Sequence, residues 1–159
     1  MTYVLITGAK GFIGQNLART LCASGSKVVG LGHGAIPPTQ LVRYGLTDWL
    51  NGDVDHTNLQ WVARRHGSPD AIFHLAGGSN VGRSLENPLE DFSRTVVTAG
   101  NLFEWIRLEC ERAATTIVSS AAVYGQGHTG PIPEDSPLNP FSPYGAHKAM
   151  MEQLAKSYA

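Results

Sequence analysis

The chain opens with Thr2-Tyr3-Val4-Leu5-Ile6-Thr7-Gly8-Ala9-Lys10-Gly11-Phe12-Ile13-Gly14, a pattern that predicts a strand, a glycine turn and the start of a helix. The apolar run 4–6 is typical of a strand that is covered on both faces of a parallel sheet. Gly8 lets the chain turn tightly, Gly11 lets the backbone approach a pyrophosphate, and Gly14 lets the helix pack closely on the strand. The free N–H groups at the helix start would bind phosphates, so this stretch indicates dinucleotide binding.

Length and composition limit the kind of protein this is. A chain of 159 residues with a formal charge of −1 fits one domain with a real core, and its scattered Lys and Arg do not predict nucleic-acid binding. No apolar run is long enough for a membrane span, and the absence of a signal-peptide pattern leads us to expect a cytoplasmic location. Cys22 and Cys110 do not have the spacing of a redox or zinc pair, and the histidines are dispersed, so we expect no metal site.

Strand and helix patterns alternate along the chain. Further strands are predicted at residues 27–31, 48–54, 71–76 and 114–119. Helices are predicted at 15–23, 56–66, 89–111 and from Ser142-Pro143 to the end, with loops at 35–47, 81–88 and 126–143. This order predicts an α/β fold with a doubly wound parallel sheet of the Rossmann type. Val97, Trp105 and Leu108 give the 89–111 helix a second apolar side, which is compatible with a partner subunit.

The segment after the second strand bears on the choice of cofactor. NAD-binding versions of this motif place an acidic residue there, but this chain has Gly32-His33-Gly34. Without a carboxylate a 2′-phosphate could be accommodated, with Lys10 and His33 as cationic partners, which favours NADP modestly over NAD. The alternative is that Lys10 is a solvated loop charge and His33 a turn residue.

Two further strand ends are candidate ligand contacts. Asp53, beside Val54 after the third strand, could reach the adenine amino group, or it could be a turn residue only. Leu75, Ala76 and Gly77 follow the fourth strand, at the carboxyl edge where open α/β sheets bind ligands.

Tyr144 and Lys148 are four residues apart, so on a helix both side chains lie on one face. A cation beside a phenol favours the phenolate, the form in which tyrosine acts as a base. Ser120 follows the fifth strand and could donate a hydrogen bond to the reacting oxygen. The alternative for Tyr144 and Lys148 is an ordinary helix-surface pair. We interpret Ser120, Tyr144 and Lys148 as the catalytic set.

Four segments together resemble the extended short-chain dehydrogenase/reductases, and most of all their NAD(P)-dependent nucleotide-sugar epimerase and dehydratase group. They are Thr7–Gly14, His74–Gly77, Ser119–Gly125 and Ser142–Lys148, in the family's order. The resemblance covers the whole chain. It implies cofactor contacts from Gly8, Lys10, Gly11, Phe12, Ile13, Gly14, Gly32, His33, Asp53, Val54, Leu75, Ala76, Gly77, Tyr144 and Lys148.

The resemblance also implies a mechanism. Tyr144 would take the proton from a sugar hydroxyl as hydride leaves the same carbon, Lys148 would assist the tyrosine and bind the nicotinamide ribose, and Ser120 would hold the oxygen. In a C4-type epimerase the keto sugar then turns over, and hydride returns to its other face. Dehydratases of the group have acids directly after the serine, whereas this chain has Ala121 and Ala122, which cannot protonate a leaving hydroxyl. Relatives often form homodimers through the helices equivalent to 89–111 and the Tyr144 helix.

Two other departures from the family pattern affect the interpretation. Ser93-Arg94-Thr95-Val96 stands where many relatives have Asp-x-Asn-Val, which puts an asparagine contact to the cofactor region in doubt. Family members also run to roughly twice this length, as a second region for the sugar nucleotide would require. We therefore expect residues 1–159 to be the NAD(P)-binding Rossmann-type domain, truncated before the substrate domain and possessing the cofactor part of the enzyme.

Three functions remain open from the sequence. The first is a nucleotide-sugar epimerase acting on a nucleotide-sugar substrate. The second is a nucleotide-sugar reductase that consumes NADPH, favoured by Gly32 and Lys10. The third is a dinucleotide-binding module without catalytic activity, favoured only by the short chain.

Overall fold

The computed structural model describes residues 1–159, which form two compact units. The sheet unit consists of Met1–Ala76 and Asn101–Val118, and the helical unit consists of Gly77–Gly100 and Ser119–Ala159. The strands are β1 (Tyr3–Thr7), β2 (Lys27–Gly32), β3 (Asp48–Asn51), β4 (Ala71–His74) and β5 (Ala114–Ile117). The α-helices are α1 (Phe12–Ala23), α2 (His56–His66), α3 (Val81–Glu86), α4 (Pro88–Phe92), α5 (Thr98–Glu109) and α6 (Pro143–Tyr158). Pro38–Tyr44 and Ala121–Tyr124 are 3₁₀-helices, and Ser93–Val97 is a π-helical turn.

All five strands lie in the sheet unit and are parallel, in the order β3-β2-β1-β4-β5. This arrangement confirms the doubly wound sheet predicted from the sequence. β3, β4 and β5 end two or three residues before their predicted ends. The pairing explains the ends of β4 and β5, because Thr7 at the end of β1 pairs with His74, and His74 pairs with Ile117. Beyond His74 and Ile117 the neighbouring strands offer no further pairing.

Side chains of β1 alternate between two cores, as a sheet covered on both faces requires. Tyr3 and Leu5 belong to a cluster that includes α2 and α5 residues, whereas Val4 and Ile6 belong to a cluster with α1. Trp105 lies in the first cluster and is only 1% exposed. The indole is therefore a core side chain of the sheet unit and is not available to a partner subunit, contrary to what its place on the second apolar side of the helix had suggested.

The helical unit differs from the sequence prediction at two places. The predicted loop at 81–88 contains α3, because Asn80 caps it by accepting a hydrogen bond from the Arg83 N–H at 3.2 Å. The predicted 89–111 helix is a succession of α4, the π-helical turn and α5. No helix in the chain is both long and apolar enough to cross a membrane.

Candidate active site

The turn between β1 and α1 leaves no room for a side chain at Gly8 or Gly14. Gly8 has a φ of +73°, and a Cβ there would lie 2.8 Å from the Ala76 nitrogen. A Cβ on Gly14 would lie 2.4 Å from the Gly8 carbonyl oxygen, so α1 begins directly against the turn. These contacts confirm the packing that the glycine spacing predicts for Gly8 and Gly14. The turn lies at the carboxyl ends of β1 and β4, where the direction of strand order reverses and α/β sheets bind ligands.

The start of α1 is open to a ligand. Gly11 caps the helix without a side chain, and the first turn contains no acidic residue. Phe12 and Ile13 are exposed, with 81% and 56% of their surface accessible. A helix start without a side-chain cap leaves N–H groups and the positive end of the helix dipole for an anion. The residues of this turn therefore fit the pyrophosphate of a dinucleotide.

A hydrogen-bond network that the sequence did not reveal braces the two strand ends beside this turn. The Thr7 hydroxyl lies 2.7 Å from Nδ1 of the buried His74, and the Ala76 N–H donates to the same hydroxyl oxygen at 3.3 Å. Thr7 and His74 stand in two of the family's segments, but the sequence predicted no contact between them. Their pairing needs the parallel register of β1 and β4, which brings residues 67 positions apart side by side.

The residues predicted to contact the adenosine part of the cofactor lie after β2 and β3. A Cβ on Gly32 would lie 3.4 Å from the Gly8 nitrogen, so Gly32 does border the glycine turn. His33 Nε2 lies 3.0 Å from Asp53 Oδ1, both side chains being 71% exposed. Lys10 Nζ donates to the Ala35 carbonyl at 3.2 Å. Both predicted cations of a 2′-phosphate site thus have a partner, and the partner of His33 is a carboxylate that opposes a bound phosphate.

Val54 is buried in the core of the sheet unit, and its carbonyl accepts a hydrogen bond from Asn101 Nδ2 at 3.1 Å. Any contact of Val54 with a ligand would therefore come from its main chain. Leu75 and Ala76 border Gly8, since a Gly8 Cβ would lie 2.9 Å from the Leu75 carbonyl carbon. Gly8, Gly32, Leu75 and Ala76 are thus brought together in the sheet unit, as the sequence predicted.

The helical unit holds the three predicted catalytic residues. Ser120 caps the 3₁₀-helix, its Oγ accepting from the Ala122 N–H at 3.2 Å. The Tyr144 N–H in the first turn of α6 donates to Ser84 Oγ at 3.0 Å. A Cβ on Gly145 would lie 2.5 Å from the Ala122 carbonyl oxygen, so the start of α6 packs on the 3₁₀-helix that follows Ser120. This close approach brings the Ser120 and Tyr144 segments together.

Lys148 is buried, with 6% of its surface exposed, and a Cβ on Gly77 would lie 3.4 Å from its Nζ. Burial lowers the pKa of Lys148, and the negative charge of Asp91 opposes that change. Next to it, the Gly78 N–H donates to Thr95 Oγ1 at 2.9 Å. The hydroxyl of Thr95, on the π-helical turn, thus contacts the backbone after β4.

Sequence reasoning also missed a buried contact between a histidine and a carboxylate in this unit. His147 Nδ1 lies 2.6 Å from Asp91 Oδ2, with 11% and 7% of the two side chains exposed. No motif signals it, because the two residues are 56 positions apart. No group of three or more His, Cys, Asp or Glu side chains is arranged to hold a metal ion.

The parallel sheet, the open helix start and the glycine turn define a dinucleotide-binding α/β protein. The model of the NAD dependent epimerase/dehydratase family matches residues 4–159, and the chain belongs to that family. This confirms the family resemblance seen in the motifs.

Relatives agree with the family assignment. The chain is 34% identical over 158 residues to a UDP-glucose 4-epimerase of Mycolicibacterium smegmatis, covering 97% of this chain and 50% of the relative. The crystal structure of UDP-glucose 4-epimerase from Brucella ovis in complex with NAD is 31% identical, with a TM-score of 0.88, covering 100% of this chain and 48% of that one. A UDP-glucose 4-epimerase from Stenotrophomonas maltophila with bound NAD and formylated UDP-arabinopyranose is 26% identical, also with a TM-score of 0.88, covering 100% of this chain and 49% of that one. The chain thus spans about half the length of the relatives it matches.

Proposed function

We propose that residues 1–159 are the NAD-binding domain of a nucleotide-sugar 4-epimerase and contribute its cofactor-binding part. The observation that carries this proposal is the glycine turn, where the backbone of Gly8 and Gly14 leaves no room for side chains and the start of α1 stays uncapped. The family and the UDP-glucose 4-epimerase relatives favour this function over a dinucleotide-binding module without activity.

Within this proposal each catalytic residue has a distinct task. Tyr144 takes the proton from the sugar hydroxyl and later returns one to the same oxygen. Ser120 donates a hydrogen bond from its hydroxyl to that oxygen, while its Oγ accepts one from the Ala122 N–H. Lys148 supplies a positive charge that favours the phenolate of Tyr144. Bound NAD would supply the hydride acceptor and donor. Ala121 and Ala122 offer no acid for a dehydration, which further supports epimerisation.

The proposed cofactor is NAD, and the NADP preference expected from Gly32 receives no support from the relatives, whose structures contain NAD. The proximity of Asp53 to His33 favours the same choice, because a carboxylate there would repel a 2′-phosphate. We also propose that the other residues predicted to contact the cofactor bind it. They are Lys10, Gly11, Phe12, Ile13, Gly32, His33, Asp53, Val54, Leu75, Ala76 and Gly77. The cytoplasmic location stays a prediction.

The cofactor assignment predicts what the purified protein carries. Mass spectrometry of the small molecules released by denaturation should detect NAD and no NADP, and titration of the stripped protein should give a Kd for NAD at least about tenfold below that for NADP. Lys10→Ala should change this ratio less than twofold, because Lys10 Nζ already binds the Ala35 carbonyl. Preferential recovery of NADP would refute the choice of NAD, and failure of both dinucleotides to bind would refute the proposed function.

We further propose that the protein forms a homodimer through α6. An open groove of about 700 Å³ runs along this helix within the helical unit, and its apolar lining includes Val96, Leu138 and Met150. Met150 is 48% exposed in this groove, so its apolar side chain is accessible to a partner surface. A second copy of the chain would place two such helices against each other, as the family resemblance implies.

Light scattering coupled to size exclusion tests the dimer. Met150→Asp should convert the dimer into monomer at micromolar concentrations, because a buried, unpaired carboxylate is costly in an apolar interface. Trp61→Asp, on the exposed side of α2 and also partly accessible, is the matched control and should leave the dimer intact. A monomeric unmodified protein, or a dimer that survives Met150→Asp, would contradict the proposal.

A further inference from the structure

The helical unit contains one buried cluster of ionisable side chains, formed by Asp91, His147 and Lys148. Asp91 is the only acidic residue of the chain among its buried residues, and Lys148 is the only buried lysine or arginine. The His147 imidazole lies between α4 and α6, where Nδ1–H donates to Asp91 Oδ2 at 2.6 Å. The Phe92 ring packs edge-on against the imidazole, with 5.4 Å between ring centroids. The pair is thus fixed from two sides.

The two oxygens of Asp91 face different groups. While Oδ2 binds His147, Oδ1 lies where a Cβ of Gly78 would be, 1.9 Å from that position. Lys148 Nζ lies against the preceding residue, 3.4 Å from a Cβ of Gly77. The side-chain-free Gly77-Gly78 step therefore allows the carboxylate and the ammonium to approach the same short piece of backbone. A buried lysine needs such a negative charge, because removal from water favours its neutral form.

The other charged groups around α6 lie outside the buried cluster of Asp91, His147 and Lys148. The elements packed against α6 are α3, α4, the π-helical turn and the 3₁₀-helix after Ser120. Their remaining titratable or charged residues, with those of α6 itself, are Arg83, Glu86, Glu90, Arg94, Tyr124, Tyr144, Glu152, Lys156 and Tyr158. None of these is buried, Glu90 and Arg94 pair with each other at 2.7 Å, and Glu152 accepts a hydrogen bond from Ser119.

We propose that Asp91 and His147 are a positioning pair for Lys148, in which Asp91 keeps the buried lysine protonated and His147 fixes the orientation of the carboxylate. The inference rests on the proposed function, because Lys148 must be an ammonium to favour the phenolate of Tyr144. Asp91 and His147 act through Lys148 and touch neither substrate nor reacting atoms in this scheme. The charge state of Lys148 can be measured without turnover, which separates this inference from the activity.

The test is an NMR titration of the protein labelled with [ε-¹³C]lysine. The chain has only four lysines, Lys10, Lys27, Lys148 and Lys156, and Lys148→Arg assigns the resonance of interest. Asp91→Asn should lower the titration midpoint of Lys148 by about one pH unit or more, because an opposite charge close to an ionisable group shifts its pKa by this amount. Glu90→Gln, one residue earlier on α4 and exposed, is the matched control and should shift the midpoint by less than about 0.3 unit.

Two results would overturn the inference: an unchanged Lys148 midpoint in Asp91→Asn, or an equal shift in Glu90→Gln. If Asp91→Asn does not fold, two substitutions of His147 provide the test. His147→Leu removes the donor that fixes the Asp91 carboxylate and should lower the Lys148 midpoint, whereas His147→Asn keeps a donor and should shift the midpoint by less than half as much. Equal Lys148 midpoints in His147→Leu and the unmodified protein would refute the inference, whereas failure to bind NAD would refute only the proposed function.

Discussion

Tyr144→Phe is expected to slow the interconversion of UDP-hexoses by the whole protein by about 10²–10⁴-fold, the usual contribution of a general acid or base. The substitution removes only the hydroxyl that takes and returns the proton. The ring and the main-chain hydrogen bond from the Tyr144 N–H to Ser84 Oγ are retained. NAD binding should therefore change by less than about threefold, a change smaller than the loss of one hydrogen bond would cause.

Tyr158→Phe is the matched control for this prediction. Tyr158 is the last residue of α6, about 21 Å along the helix from Tyr144 at 1.5 Å per residue, and it is 40% exposed. The same loss of a hydroxyl there should leave the rate unchanged. The assays are coupled turnover of UDP-glucose and UDP-galactose and calorimetric titration with NAD. An undiminished rate in Tyr144→Phe would show that another group is the base.

Gly14→Ala is expected to have the largest effect on the cofactor site. Its new methyl group would lie 2.4 Å from the Gly8 carbonyl oxygen and 2.7 Å from the Ala9 Cα, and backbone atoms cannot move aside as a flexible side chain can. We expect a loss of about 3 kcal/mol in the free energy of unfolding, at the upper end for overpacking. We also expect NAD affinity to fall by at least about 100-fold, because α1 must retreat from the turn that would hold the pyrophosphate.

Gly100→Ala is the contrasting change, since Gly100 is also a helical glycine. A Cβ there would meet only Leu154 Cδ2 at 3.6 Å, which is an ordinary van der Waals distance. Alanine should therefore stabilise α5 by up to about 1 kcal/mol through its higher helix propensity. Urea denaturation followed by circular dichroism measures both variants. Equal effects of the two substitutions would mean that the Gly14 contact does not limit the packing of α1.

Local sequence signals predicted those parts of the protein that depend on neighbours along the chain. Glycine spacing predicted the turn after β1, and apolar runs predicted β1 and β4, because a parallel strand covered on both faces has a continuous apolar sequence. Strand ends were less accurate, because they depend on where the partner strands stop pairing. Trp105 was misassigned for a similar reason: helical spacing shows that a residue lies on an apolar side, but not which side the sheet covers.

The candidate site also has a part that the sequence predicted and a part that only the structure shows. Ser120, Tyr144 and Lys148 stand in short motifs, so their selection needed no structure, and it stays a prediction until the variants are assayed. The contacts that surround these three residues, in contrast, could be found only from the structure. Nothing local to Gly145 shows that the Ala122 carbonyl occupies the place of its side chain, and nothing local to Thr95 shows that its hydroxyl binds the Gly78 N–H.

By itself, the sequence determined the order of the five strands, the glycine turn and the family, because each is recorded in residues close together in the chain. Only the tertiary structure decided that Asp91 faces His147 and that Asp53 faces His33. The residues of these pairs are 56 and 20 positions apart in the sequence, and their side chains interact only because folding brings them together. The glycine turn can therefore be read from the sequence as a dinucleotide site, whereas the charges around the proposed cofactor and catalytic lysine follow from the fold.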